Sequence, residues 1–485
     1  MTILSASIVI MILYVGILIG IGIWSARKNI TADDFVIGGR EIGPWVTALS
    51  FIAVYFSSVL IIGGGGFGYK FGMGTVWIGA VNVAVGCTLC WIVMGRRVRR
   101  FTERMKVNTI SGFFARRFNS PEAGIFSSMV IFLFLIIYNV SVVKGMAHSF
   151  EVLMDLPYWG GVLISGLVII VYVTLGGYSA VVWTGFIQAW VMIFSLILLT
   201  WRTVSAVGGL SEGMLKLQSV GSEFVTTPGV WGWAGLISFC LVVSLGVWGM
   251  PQLVIRFYSI KNEKTFRLGT VIVTVGAAIA VLPYLNGALS RVLLPPLENP
   301  DLAIPKLSSL VLSPLGAAVL LAGVVAAGMS TFAGVLMIVS SSLVRDVYIR
   351  GLNREMTGAQ EIRANRIVSV VVGIIALLIA LRPPALILVL TGFSWAVIAS
   401  TNLWPLVFGL YWKGASRVGA FSSMAAGALT ALIWTYLKKP FGIHGFIAGS
   451  LVSLVVIVVV SLIKRSTLPD HFIEMLWSGT GESDQ

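Results

Sequence analysis

Ser50-Phe51-Ile52-Ala53-Val54-Tyr55-Phe56-Ser57-Ser58, running on to Gly63-Gly64-Gly65-Gly66, is apolar enough to cross a bilayer yet carries residues that weaken a helix. Each glycine costs a helix interior about 1 kcal/mol against alanine, so four in succession inside a span predict an interruption. A second such place is Gly246-Val247-Trp248-Gly249-Met250-Pro251-Gln252, where the proline adds a cost of about 3 kcal/mol. Five apolar spans separate the starts of these two helices, the spacing that a five-plus-five repeat requires. Discontinuous helices at matching places in two halves of a membrane protein point to a midplane site, because unwound backbone offers carbonyls and half-helix ends to ions and polar solutes. Close helix packing through small residues is the competing explanation of both clusters.

Outward from these segments the whole chain reads as a membrane protein. A helix rising 1.5 Å per residue needs about 20 apolar residues to cross about 30 Å of hydrocarbon. Thirteen segments meet that description, at 3–25, 45–69, 72–95, 122–150, 158–175, 180–203, 233–257, 268–293, 309–343, 367–382, 385–412, 417–437 and 443–464. The first lacks a basic leading region and is read as a retained helix rather than a signal peptide. The remaining polar stretches, 204–232, 344–366 and 465–485, are loop-sized, so no soluble domain is expected.

Composition agrees. Of 485 residues, 57% are hydrophobic and 11% charged, which excludes a water-soluble enzyme. The net charge of +14 does not indicate a nucleic-acid reader, since the 33 Lys and Arg are scattered between apolar runs. They follow topology instead. With the N-terminus outside and the C-terminus cytoplasmic in a cell (inner) membrane, most fall on the cytoplasmic side, Arg27, Lys28, Arg40 and Arg465 among them. Only Lys70, Arg202, Lys216, Arg291, Lys306, Arg382, Lys438 and Lys439 fall opposite, and Lys144 lies within a span. Cys87 and Cys90 form a CxxC spacing without further ligands and, like Cys240, lie in apolar sequence, so they read as packing residues.

The ninth span carries Ala326-Ala327-Gly328-Met329-Ser330-Thr331. Ala327 precedes the two hydroxyl residues by three and four positions, so its carbonyl and both hydroxyls can face one point. Such neutral, hard oxygens suit a sodium ion, although Ser and Thr in membrane helices also bond back to their own backbone.

These features together resemble the sodium:solute symporter family over nearly the whole chain. The likeness rests on Asp34-Phe35-Val36-Ile37-Gly38-Gly39-Arg40, on Gly63 to Gly66 with Tyr69 and Gly72, and on Gly176-Gly177-Tyr178-Ser179-Ala180-Val181-Val182-Trp183-Thr184. Gly249-Met250-Pro251-Gln252, Met329-Ser330-Thr331 and Trp404-Pro405-Leu406-Val407-Phe408-Gly409-Leu410-Tyr411-Trp412 complete it. Within the family the chain looks most like the sodium/pantothenate symporters, through Gly208-Gly209-Leu210-Ser211, Pro300-Asp301-Leu302-Ala303-Ile304-Pro305 and the loop from Arg256 to Lys264.

The resemblance implies an all-α, leucine-transporter-like fold of about 13 transmembrane helices: an extra helix 3–25, a first repeat 45–203, an inverted second repeat 233–412 and two trailing helices within 417–464. It implies a sodium site made by the carbonyls of Ala53, Phe56 and Ala327 with the hydroxyls of Ser330 and Thr331. Tyr55, Ser57, Ser58, Asn82, Asn139, Lys144, Trp248, Gly249 and Gln252 are the candidate solute-binding residues. Many relatives carry an aspartate where this chain has Gly185, which puts a second coupled sodium in doubt.

A charge inside a span faces the bundle or a water-filled cavity. Lys144 is therefore expected either to snorkel and pair near Glu151 or to neutralise the carboxylate of a solute, with Asn139 and His148 nearby. The expectation is a symporter carrying a small organic anion, plausibly a monocarboxylate such as pantothenate, with sodium by alternating access. A transporter-like solute sensor and a proton-coupled carrier of the same fold are the alternatives.

Overall fold

The computed structural model describes residues 2–26, 32–38, 42–262, 264–464 and 470–477. Arg27, Lys28, Gly39, Arg40 and Arg465, used in the sequence reading, lie outside the described residues. Among the described residues there is no β-strand, only an isolated parallel bridge between Ile42 and Ile260. Among the described residues, eleven helices are long and apolar enough to cross a membrane, and the pair Pro44–Tyr55 and Val59–Phe71, bent by 50°, makes a twelfth if it is one span. The shorter apolar helix Tyr158–Thr174 accounts for the remaining expected segment; the chain kinks at Gly177, with φ +58°, before the next span. This is a multi-pass membrane protein. Its outward faces carry apolar side chains such as Ile12, Leu13, Trp201, Val275 and Leu462, the surface a bilayer covers.

The elements that build the site are α1 (Ile3–Ala26), α2 (Pro44–Tyr55), α3 (Gly65–Phe71), α4 (Pro121–Met154), α5 (Gly232–Ser244), α6 (Pro251–Tyr258), α7 (Pro314–Ser341), α8 (Ile387–Tyr411), α9 (Arg417–Tyr436) and α10 (Gly445–Ile463). At the centre stands α7, whose most apolar window is 94% buried. It packs on α1, α2, α4 and the long helix Tyr158–Ala206. Small residues permit this: a Cβ at Gly323 would collide with Ser195 Oγ, and one at Gly328 with the Met146 side chain. The trailing helices α9 and α10 pack on each other and on α8, with Ser423 Oγ donating to the Ser453 carbonyl at 2.7 Å.

Several expected boundaries move, for physical reasons. The span expected from 309 begins at Pro314, capped by Ser313, because 303–311 forms a separate helix. The span expected from 367 begins at Gly358, where Thr357 and Gln360 form a capping box. Its first turns hold Glu361, Arg363 and Arg366, so apolarity alone starts it too late. Parts of the stretches taken as loops are helical, including Leu210–Val220 and Ser342–Gly351.

The glycine cluster is corrected most. Gly63 to Gly66 stay helical, in a π-turn followed by α3, and the chain unwinds earlier, at Phe56 and Ser57. The glycines serve close approach instead. A Cβ on Gly65 would collide with Ile304, one on Gly68 with the carbonyl of Tyr284, and one on Gly287 with the carbonyl of Gly65.

Candidate functional site

The first break follows from how its backbone groups are satisfied. α2 ends as the Phe56 amide bonds back to Ile52, and Phe56 takes a non-helical φ/ψ of −93°/66°. Ser57 starts the next segment: its hydroxyl accepts from the Val59 amide at 3.2 Å and its carbonyl accepts from Leu60 at 2.9 Å. Carbonyls in the last turn of α2 are thereby left without helical partners. Two of them face α7. Ser330 Oγ lies 2.8 Å from the Ala53 carbonyl oxygen and 2.9 Å from that of Ala327. Thr331 Oγ1 lies 2.8 Å from the Val54 carbonyl oxygen and 3.2 Å from that of Ala327.

Five oxygens from two helices thus meet at one buried point. Each hydroxyl has one proton and two lone pairs, so turning the proton aside presents an oxygen to a cation. The negative end of the α2 dipole adds to the attraction. No carboxylate takes part, and among the described residues no group of three or more His, Cys, Asp or Glu could hold a metal. The donor set is hard, neutral oxygen, the chemistry of a monovalent cation. Ala53, Ala327, Ser330 and Thr331 come together as the family resemblance implied. Val54 joins them, and the recorded hydrogen bond from Thr331 goes to Val54 rather than to Phe56.

Beside the break lies a cavity of about 30 Å³, lined by Tyr55, Phe56, Ser57 and Asn82 together with residues the sequence reading missed: Tyr138, Tyr284, Thr391 and Trp395. The Tyr55 hydroxyl donates to the Val243 carbonyl, tying the first break to the end of α5. Tyr55 and Trp395 stack with centroids 6.0 Å apart, and Ser57 Oγ lies 3.4 Å from Tyr138 Oη. Thr391 Oγ1 meets Ser141 Oγ at 2.8 Å. Thr391 and Trp395, four apart in α8, are a polar and aromatic pair on one helix face, a signal the sequence did contain.

Other candidates lie elsewhere. Ser58 Oγ donates to the Val142 carbonyl at 2.7 Å. Asn139 is buried on α4 with no hydrogen-bond partner for either amide atom among the described residues, and it does not line the cavity. The second break runs as a 3-10 turn from Gly246 to Gly249 into α6. There Trp248 Nε1 donates to the Val85 carbonyl at 3.1 Å, Asn402 Nδ2 donates to the Gly249 carbonyl at 3.4 Å, and the Gln252 amide is buried without a described partner.

Lys144 requires correction. Its ammonium donates to Asp301 Oδ2 at 2.8 Å and to the Ala385 carbonyl at 3.1 Å, and Ile387 N donates to the same carboxylate oxygen at 3.2 Å. The side chains of Lys144 and Asp301 are 8% and 2% exposed. The lysine is therefore neither a snorkelling partner of Glu151 nor a free cation for a solute's carboxylate. Glu151 pairs with His148 at 2.8 Å. At Gly185, an added Cβ would sit 3.4 Å from Ser50 Cβ.

With this geometry in view, residues 35–427 match the model of the Sodium:solute symporter family. The chain belongs to that family. Sodium/proline symporters of Staphylococcus aureus strains bovine RF122 / ET3-1 and COL are 32% identical over 489 residues, covering 95% of this chain and 93% of theirs. Among solved structures, a Na+-coupled sialic acid symporter in a substrate-bound outward-open state superposes with a TM-score of 0.80 at 19% identity, covering 96% of this chain and 99% of that one. Mhp1, a nucleobase-cation-symport-1 family transporter, gives 0.55 at 14% identity, covering 91% and 97%. The fold is thus the leucine-transporter-like one, the chain is a transporter and not an enzyme, and sodium is its coupling ion. These curated relatives are named for proline, and the closer likeness to pantothenate symporters gives way to membership of the family.

Proposed function

We propose that this symporter carries a small zwitterionic amino acid of proline's size and chemistry, taking it into the cell with one sodium ion per cycle. The observation that carries the reading is the cavity beside the break, whose lining offers hydroxyls, one amide, aromatic rings and aliphatic side chains and no charged group, with Lys144 outside it and paired to Asp301. The aromatic faces of Tyr55, Tyr138 and Trp395 can take the ammonium of a zwitterion. A zwitterion brings its own counter-charge, and the sodium ion on α2 and α7 can face its carboxylate across the break. The names of the Staphylococcus aureus relatives support the same solute class.

At about 30 Å³ the cavity has room for a water molecule or two, so admitting a solute requires Tyr55, Tyr138 or Trp395 to move. The proposed moving bodies are the repeats 45–203 and 233–412, rocking about α2 and α7. The Arg-rich loops support the placement of the N-terminus outside in a cell membrane. The test is uptake of labelled proline into proteoliposomes containing this protein alone. Sodium-gradient-driven accumulation is expected, with pantothenate failing to compete. Sodium-driven uptake of pantothenate without proline uptake refutes the solute class, and binding without any uptake refutes transport in favour of a sensor.

A further inference from the structure

Beyond the cavity, a second concavity of about 160 Å³ opens among α3, α5, the start of α8 and the loop joining α9 to α10. Leu388 lines both spaces, so the two are neighbours along one path. The walls are aromatic. Phe71 stacks flat on Trp231 with centroids 4.6 Å apart, while Phe67 and Phe239 meet the same indole at 5.2 and 5.3 Å. Lys70 and Lys439 also line the space, and no carboxylate does. Neither ammonium has an ion-pair or hydrogen-bond partner among the described residues; Lys70 Nζ instead lies 5.2 Å from the Phe71 ring centroid.

Lys439 is partly buried, and burial holds its ammonium below the usual lysine range. Burial and the Lys439 charge together push His444, which also lines the space, down to about 3, so that imidazole is neutral at pH 7. The chamber therefore presents two unanswered positive charges beside a stacked aromatic wall. Lys70 is exposed at the rim, while Lys439 is partly buried; a partly desolvated cation without a counter-ion is unfavourable, and an incoming anion recovers part of that cost. The volume is about half that of the smallest pockets that take drug-sized ligands, enough for one ring and a carboxylate.

We propose that this chamber is a second binding site, for a small carboxylate bearing an apolar ring: Lys70 and Lys439 hold the carboxylate, and the ring lies against Trp231 and Phe71. Two sources share that chemistry, the transported solute on its way to the cavity and a separate cyclic carboxylate that plugs the path.

Benzoate is the probe, applied to the purified full-length protein and followed by calorimetric binding and thermal stability. Benzoate is expected to bind and stabilise, and the neutral isostere benzyl alcohol to do neither. Lys70→Gln and Lys439→Gln should each weaken benzoate about tenfold, with stabilisation by sodium retained as the sign of a folded protein. Benzoate affinity unchanged in both variants, equal binding of benzyl alcohol, or no benzoate binding overturns the site. Displacement of benzoate by proline identifies the occupant as the transported solute, and no displacement identifies it as a separate ligand; either result upholds the chamber. Failure of proline uptake would leave the benzoate result standing.

Discussion

Replacing Lys144 by methionine removes an ammonium that sits 2.8 Å from a carboxylate only 2% exposed. Asp301 would keep the Ile387 amide as its remaining donor, and the Ala385 carbonyl would lose its partner. Breaking one side of a buried pair costs about 3–5 kcal/mol, because a buried charge is left uncompensated. The pair also joins α4, the 300–302 turn and the start of α8, so its loss should loosen the wall above the cavity. The assay is thermal unfolding in detergent across a cycle of Lys144→Met, Asp301→Leu and the double variant. Each single variant is expected to unfold at a clearly lower temperature, and the double variant to recover most of the loss, since an apolar pair of similar volume is often neutral. A Lys144→Met protein as stable as the parent, with half-saturation raised for the transported carboxylate-bearing solute alone, would refute this reasoning and place the ammonium in the solute site.

Three further outcomes follow from the geometry. Ser330→Ala with Thr331→Ala removes both side-chain oxygens facing Ala53 and Val54 and should weaken sodium activation of uptake at least about tenfold, about 1.4 kcal/mol, with the protein still inserted; unchanged sodium dependence would remove these residues from the site. With Gly185 carrying no carboxylate, the Hill coefficient for sodium should lie near one, and a value approaching two would place a second ion elsewhere. Gly287→Ala drives a Cβ into the Gly65 carbonyl and should cost about 1–3 kcal/mol by overpacking, read as a lower unfolding temperature; a neutral effect would show that the helix pair separates freely.

The sequence carried the spans and most of the oxygen cluster between α2 and α7 for the same reason: both are written in local spacing. Apolar runs reveal membrane helices directly, and oxygens three and four residues apart in α7 face one point wherever the helix lies. The break was harder to place. Helix propensity points to Gly63–Gly66, but the cost of glycine is offset there by close approach to Ile304, Tyr284 and Gly287, while Phe56 and Ser57 unwind with a serine hydroxyl satisfying the freed backbone. Lys144 and Asp301 stand 157 positions apart, so no local pattern reveals their pairing. Tyr138, Tyr284 and Trp395 escaped because aromatic residues in apolar helices are ordinary core, and only the fold shows which of them face the cavity.

The charge moved per solute tests the central claim most directly. A neutral-oxygen site leaves the sodium charge uncompensated, and a zwitterion adds none, so each cycle should move one positive charge. At about 100 mV that charge contributes about 2.3 kcal/mol, and a tenfold sodium gradient adds about 1.4, together sustaining accumulation of roughly 500-fold. Measured as the reversal potential of proline-dependent current in proteoliposomes, the account predicts one sodium ion and one net charge per proline. Electroneutral proline uptake, or uptake that continues without sodium, would contradict it.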